Sequence, residues 1–359
     1  MTSAEREAPR RRSVPLIVVD GVRRIVPMGL WQSALAVIAG LIICFFIILA
    51  VGGTPLVAFK AFTLGTFQNA YSFGSMIAIA TVLAVTGFSS TVAFRAGAFN
   101  IGSEGQLVMA GLVTAVVAQH LPGPGGVVQI VALLAAAATG MLWIAVPTYL
   151  RVRFRINEIL TTLMMNYIAA DLSLFLVNSY FRDKTSGAVE TPPLAPSRWL
   201  AGFLAPSAAN IGAFVALAIG LVLWFVFTKT RVGMRMEVAG LQPAFADYLG
   251  IRSVRYLWNS MLGSGGLAGL AGGLAILGIS HEYIDGFSPQ YGFLGITVAL
   301  IGRLRPLGVL VAAALYACLI TGATAMQAVS NVPYSLVFIL QGILILLITS
   351  QGLFRGRAA

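Results

Sequence analysis

Six stretches of this chain run for 23 residues or more without a charged side chain: 30–52, 68–94, 121–150, 199–228, 256–280 and 306–354. A helix needs about 20 apolar residues to cross the hydrocarbon layer of a bilayer. A soluble domain carries about 25% charged residues, whereas here 10% are charged and 58% are hydrophobic. The chain therefore reads as a polytopic membrane protein. Lipid offers no partners to backbone N–H and C=O groups, so the spans must be helices that satisfy those groups internally.

Asn331-Val-Pro333 divides the last stretch in two, and 156–181 is apolar apart from Glu158 and Asp171. Two shorter pieces lie near 100–119 and 291–302, each following a Gly-bearing segment, 97–111 and 286–302. The expected fold is all-α, with about ten transmembrane helices, two of them short or broken. The short pieces occupy corresponding places in the two halves, which points to an internal repeat around a central pathway. Residues 1–29 form a basic tail, 30–354 the transmembrane domain and 355–359 a short second tail. The arginines at 10–12, 23 and 24 resemble the basic region of a signal peptide. The run 30–52 is too long for the roughly 7–15 residue core of such a signal, so it reads as a retained first span.

The net charge of +11 does not indicate a nucleic-acid partner, because no aromatic-basic groove pattern accompanies it. With the N-terminus inside, alternation places Arg95, Arg151, Arg153, Arg155, the 229–255 loop, Arg303, Arg305, Arg355 and Arg357 on the cytoplasmic face. Only Lys60, Arg182, Lys184 and Arg198 fall outside. That follows the positive-inside rule and makes both termini cytoplasmic. The outer loop near 182–209, with Pro192, Pro193, Pro196 and Pro206, reads as surface turns. Cys44 and Cys318 fall in apolar spans and His120 and His281 stand alone, so no metal site or histidine-based catalytic site is expected.

The segment Ala98–Gly111 sets Asn100, Glu104 and Gln106 at the mouth of an uncharged run. Polar groups are costly in hydrocarbon, so Phe99, Asn100, Glu104 and Gln106 are candidates to line a pathway. A structural reading stands beside this one: Asn100 caps the helix and Glu104 complements its positive end, with Arg95 as the partner of Glu104. Asn157 and Glu158 read as the N-cap and matched acid of the next span. Asn166, Tyr167 and Asp171 lie further along it, and an acid within a span is a functional candidate by default. Tyr167 can stack on a base or simply pack. The small-residue run Gly263–Gly273 suits close helix packing.

The 229–255 loop is the longest internal one. Pro243 suits a first helical turn, Ala244, Phe245, Ala246, Tyr248 and Leu249 continue it, and Gly250 ends it. Such an apolar helix in water packs on the protein's own inner face or docks a soluble subunit.

Four segments in order resemble one family. They are Phe99-Asn-Ile-Gly-Ser-Glu-Gly-Gln106, Asn157 to Ala169, Thr230 to Arg235 with Ala246 to Ile251, and Tyr291 to Gly302 followed by Pro306-Leu-Gly308. Over about 70–350 the chain resembles the permease subunits of bacterial ATP-binding-cassette importers for nucleosides and simple sugars, the nucleoside branch most. The resemblance implies a bacterial cytoplasmic membrane protein, a second and related permease, and an external substrate-binding lipoprotein. It also implies two ATPase subunits or one duplicated ATPase. It makes 229–255 the coupling segment, with Gly240, Gln242, Pro243, Ala244, Phe245, Ala246, Tyr248 and Gly250 at the ATPase contact. Leu294, Gln242 and Phe245 depart from the family pattern. The chain has no phosphate-cradling GxxxxGK[ST] run, so ATP and Mg would be bound by the partner subunits, with no cofactor here. The alternatives are a permease for simple sugars or another small polar solute, and an ion-coupled carrier using Glu104, Glu158 and Asp171.

Overall fold

The computed structural model describes residues 54–329, together with Ile42, Phe45, Phe46, Ile48, Leu49 and Gly342. Both predicted tails, and nearly all of the predicted spans 30–52 and 334–354, lie outside the described residues. The helices below belong to one compact unit within 52–333.

Its chain order is α1 Pro55–Leu64, α2 Ala70–Arg95, α3 Ser103–His120, α4 Gly125–Phe154, α5 Glu158–Leu176, α6 Gly212–Lys229, α7 Arg231–Leu241, α8 Pro243–Tyr248, α9 Ser253–Ala275, α10 Tyr291–Ile301 and α11 Pro306–Val329. One wide π-type turn extends α5 to Phe181 and another extends α9 to Ser280. Among the described residues, six helices (α2, α4, α5, α6, α9 and α11) are long and apolar enough to cross a membrane. The two short pieces are also helical: α3 has 18 residues and α10 only 11. The protein is thus an all-α, multi-pass membrane protein.

One predicted span needs correction, and two further helices are present. Residues 199–211 are turns, and the stretch 199–228 becomes helical only at Gly212. The internal loop 229–255 contains a further helix, α7, before α8. A helix also forms between the predicted spans 30–52 and 68–94, where Pro55 starts α1. Being only ten residues long, α1 is too short to span; it lies along α11, where Thr66 Oγ1 donates to Cys318 O at 3.2 Å.

α2 and α9 form the centre. Their most apolar windows are 78% and 72% buried, against 22–28% for α4, α5 and α6, which are peripheral in the single chain. The small-residue run in α9 acts as the sequence suggests. A Cβ on Gly265 would lie 2.5 Å from Gly140 O of α4, so only glycine lets these backbones meet.

Contacts define two ends of the bundle. At one end, Gln129 Nε2 at the start of α4 donates to Trp199 O at 2.6 Å, and Arg198 donates to Ala118 O. The outer loop is stitched along the exit of α9 by Leu194 N to His281 O at 2.8 Å and Thr191 N to Tyr283 O at 2.9 Å. At the other end lie Arg95, Arg151, α7 and α8.

Candidate functional site

The break between α2 and α3 organises the site. After Arg95 the chain turns through Gly97, which has φ +70°, and runs non-helically to α3 at Ser103. Ser103 Oγ lies 3.4 Å from Ser89 Oγ. Ser89 is six residues from the end of α2, so α3 begins about 9 Å inside the bundle at about 1.5 Å per residue.

A fully buried polar network fixes this re-entrant start. Asn100 and Gln106 face one another: Asn100 Nδ2 donates to Gln106 Oε1 at 3.0 Å, and Gln106 Nε2 donates to Asn100 Oδ1 at 3.0 Å. Asn100 Nδ2 also reaches Ser264 Oγ on α9 at 2.8 Å, and its Oδ1 accepts from Gly102 N at 3.0 Å. Ser264 is tied to α2 through Ser89 Oγ at 3.0 Å. Asn100, Gln106, Ser89, Ser103 and Ser264 are all at most 1% exposed, so each amide spends its bonding capacity on the scaffold. From α5, Asn166 Oδ1 accepts from Gly105 N at 2.9 Å, and its Nδ2 donates to Ile101 O at 3.0 Å. One side chain thereby satisfies an orphan N–H of the first turn of α3 and a carbonyl of the loop before it.

Glu104 occupies a different junction. Its carboxylate accepts from Gly292 N at 2.7 Å, with Ser288 as a second hydrogen-bond partner. Gly292 opens α10, so the positive N-terminal ends of α3 and α10 converge on one acid. The loop ahead of α10 dips into the bundle to make this contact, seating Phe287 against Gly111 of α3. The expected pairing of Glu104 with Arg95 is not formed. Arg95 lies at the end of α2, below the start of α3, and pairs instead with Glu237 of α7 at 3.1 Å, its guanidinium 4.7 Å from the Phe227 ring centroid.

The other candidates lie on the surface of the chain. Phe99 is 48% exposed and tilts against Phe94 at 5.1 Å. Tyr167 is 62% exposed and Asp171, one turn further along the same face of α5, is exposed as well. The seven pathway candidates thus divide into four that build the re-entrant junction (Asn100, Glu104, Gln106, Asn166) and three on the outer surface of the chain. Asn157 N-caps α5 by accepting from Ile159 N at 2.9 Å, and Glu158 pairs with Arg151 across the α4–α5 turn.

The segment 229–255 is a helical hairpin. Thr230 caps α7, Pro243 starts α8 and Gly250 at φ +76° ends the turn after it. Asp247 accepts from Ser253 N and Oγ, both at 2.9 Å, and so ties α8 to the first turn of α9. Ala246 is buried, while Phe245 is 51%, Tyr248 88% and Leu241 75% exposed. Gly240, expected at the ATPase contact, instead forms the root of this hairpin. A Cβ on Gly240 would lie 2.6 Å from Arg95 O and 2.7 Å from Gly97 N, so the end of α7 rests directly on the backbone that leads to α3. Met236 of α7 and Phe227 of α6 share an apolar cluster with Val92 of α2 and Ala96 just after it.

Residues 72–349 match the family described as branched-chain amino acid transport system, permease component. The chain is 34% identical to the guanosine ABC transporter permease protein NupP of Bacillus subtilis, over 89% of this chain and 93% of that one. It is 31% identical to the glucose ABC transporter permease protein TsgB13 of Haloferax volcanii, over 93% and 92%. With the nucleoside ABC transporter permease protein NupB of Lactococcus lactis it shares 30% identity, over 81% and 83%. A second guanosine permease protein of B. subtilis, NupQ, is 26% identical over 65% of this chain.

Proposed function

The chain belongs to the family of branched-chain amino acid transport system permease components, and on that premise we propose that it is a membrane-spanning subunit of an ATP-binding-cassette importer for nucleosides. It sits in a bacterial cytoplasmic membrane with both termini inside. Separate ATPase subunits, two copies or one duplicated chain, bind ATP and Mg and grip the α7–α8 hairpin. A related second permease completes the membrane unit, and a lipoprotein delivers cargo from outside. The names of the relatives support a nucleoside cargo, and the two guanosine permease proteins of B. subtilis support a second permease.

The exposed rings of the α7–α8 hairpin, Phe245 and Tyr248, carry this reading, and Asp171 supports the position of the path. That acid is exposed on a helix long and apolar enough to cross the membrane. Lipid contact there would cost about 2.5–3.5 kcal/mol on insertion scales. The α5 face holding Tyr167 and Asp171 therefore turns towards the second permease and the polar path between the two, with Phe99 near its inner end. Asn100, Glu104, Gln106 and Asn166 shape that path by holding the ends of α3 and α10. Exposed Phe245 and Tyr248 enter the ATPase, and each nucleotide state shifts the permease only through its differential affinity for the two arrangements. Through Gly240 the hairpin bears on Gly97 and hence on the start of α3.

Uptake of labelled guanosine by the reconstituted importer tests the proposal. Unlabelled nucleosides should compete and glucose should not, and Asp171→Leu should lower uptake by at least about tenfold, a loss of about 1.4 kcal/mol. Competition by glucose alone would move the cargo to sugars, and normal uptake by Asp171→Leu would remove α5 from the path.

A further inference from the structure

Three arginines beside the hairpin have no assigned role. Arg235 of α7, Arg252 before α9 and Arg255 in the first turn of α9 are all exposed. None of them has an ion pair or a side-chain hydrogen bond with a described residue. They converge on a cavity of about 470 Å³, together with Asn259 and the apolar walls Val232 and Tyr256. On the other side of Arg252 and Arg255 lies a second cavity of about 540 Å³, lined by Val152 of α4 and by Val254 and Trp258 of α9. The acid in that second cavity, Asp247, is engaged by Ser253.

The level of these cavities decides what fits them. The spanning segment Ser253–Ser280 has 28 residues, about 42 Å at 1.5 Å per residue. The hydrocarbon layer is about 30 Å thick, or about 40–45 Å with its headgroups. Arg255, Tyr256, Trp258 and Asn259 occupy the first two turns of this segment and so stand at the headgroup level. Trp is the side chain enriched there, and basic pockets between spanning helices on the cytoplasmic side suit lipid phosphates. Arginine forks also match phosphate oxygens in pairs. A soluble phosphate would use the polar cavity and leave the apolar one beside it empty. An acidic surface of a partner protein would likewise make no use of an apolar recess at membrane depth.

We propose that Arg235, Arg252 and Arg255 hold the phosphate of an anionic phospholipid of the cytoplasmic leaflet, with its acyl chains leaving past Val254, Trp258 and Val152. The lipid wedges between the coupling hairpin and the start of α9 and braces the segment that the ATPase moves.

Native mass spectrometry of the intact importer tests this without cargo or ATP, so its outcome is separable from that of the transport reading. The detergent-solubilised complex is offered phosphatidylglycerol or cardiolipin against phosphatidylcholine. The wild type should retain the anionic lipids. Arg252→Gln should lower retention about fivefold, the effect expected of one arginine at an anionic surface, and the triple Gln variant should abolish it. The triple Lys variant keeps the charges but loses the paired forks, so it should retain an intermediate amount of lipid, above that of the triple Gln variant, which controls for folding. Equal retention of phosphatidylcholine would overturn the proposal. So would displacement of the lipid by millimolar inorganic phosphate, which would mark a site for a soluble anion. Loss of the ATPase subunits from the Gln variants with lipid retention unchanged would assign the arginines to protein docking instead.

Discussion

Gly240→Ala asks whether the hairpin drives the re-entrant segment. The new Cβ would stand 2.6 Å from both Ala96 C and Arg95 O and 2.7 Å from Gly97 N. Carbon atoms pack at about 3.5–4.0 Å, so α7 and the 95–97 backbone must separate by about 1 Å. Overpacking of this kind costs about 1–3 kcal/mol. All the crowding atoms are backbone, so no side chain can swing aside to absorb it. If the strain falls on one transport arrangement more than the other, it shifts their balance by about 5- to 150-fold. The assay is ATP-driven uptake in proteoliposomes, with ATP hydrolysis and subunit co-purification measured on the same sample. The expected result is an assembled complex that hydrolyses ATP while uptake falls at least fivefold. Gly187→Ala serves as a control, because no atom lies within 4 Å of its added Cβ, and it should leave uptake unchanged. Uptake by Gly240→Ala within twofold of wild type (about 0.4 kcal/mol) would refute the mechanical role of this contact. Loss of the ATPase subunits would show that Gly240 serves docking alone.

Phe245→Asp puts a charge on an exposed ring of α8; uptake should vanish and the ATPase should dissociate on gel filtration, while the permease keeps its helical circular dichroism. Asn100→Ala leaves the buried Gln106 amide and Ser264 hydroxyl short of partners, at about 1–3 kcal/mol per unsatisfied group; the unfolding midpoint in detergent should drop by several degrees, and an unchanged midpoint would count against the network. His281, at the outer end, is stacked on Trp199 at 3.9 Å, and burial holds its pKa below the ordinary 6.5. Since the unfolded state binds the proton more readily, the packing of His281 stabilises the fold above pH 6.5 and this contribution is lost as pH falls towards the lower folded value. Hydrogen exchange over residues 189–200 should therefore speed up as pH is lowered through this window, after correction for intrinsic rates, and His281→Phe should remove the dependence.

Length and charge made the long spans legible, because nothing but a helix hides twenty backbone amides from lipid. Pro243 and Gly250 marked α8 by local backbone chemistry alone. Two helices escaped notice for physical reasons. α1 is too short to register as a span, and α7 mixes Arg231, Arg235 and Glu237 with its apolar residues. The site was legible as a set of polar residues but not as a set of contacts. Asn100 meets Ser264 across 164 positions, and Arg95 chooses Glu237 over the nearer Glu104. Such pairings depend on which helices pack together, and hydropathy is silent on that. Even the division between buried Gln106 and exposed Tyr167 required knowing that α5 is peripheral.

The energy source decides the matter most directly. The permease pair is reconstituted with and without its ATPase subunits, with ATP in the lumen or an imposed proton or sodium gradient, and guanosine accumulation is followed. Accumulation that needs both ATP and the ATPase, and ignores the gradient, is what a motor gripping the α7–α8 hairpin requires. Accumulation driven by the gradient in vesicles holding no ATPase would contradict it.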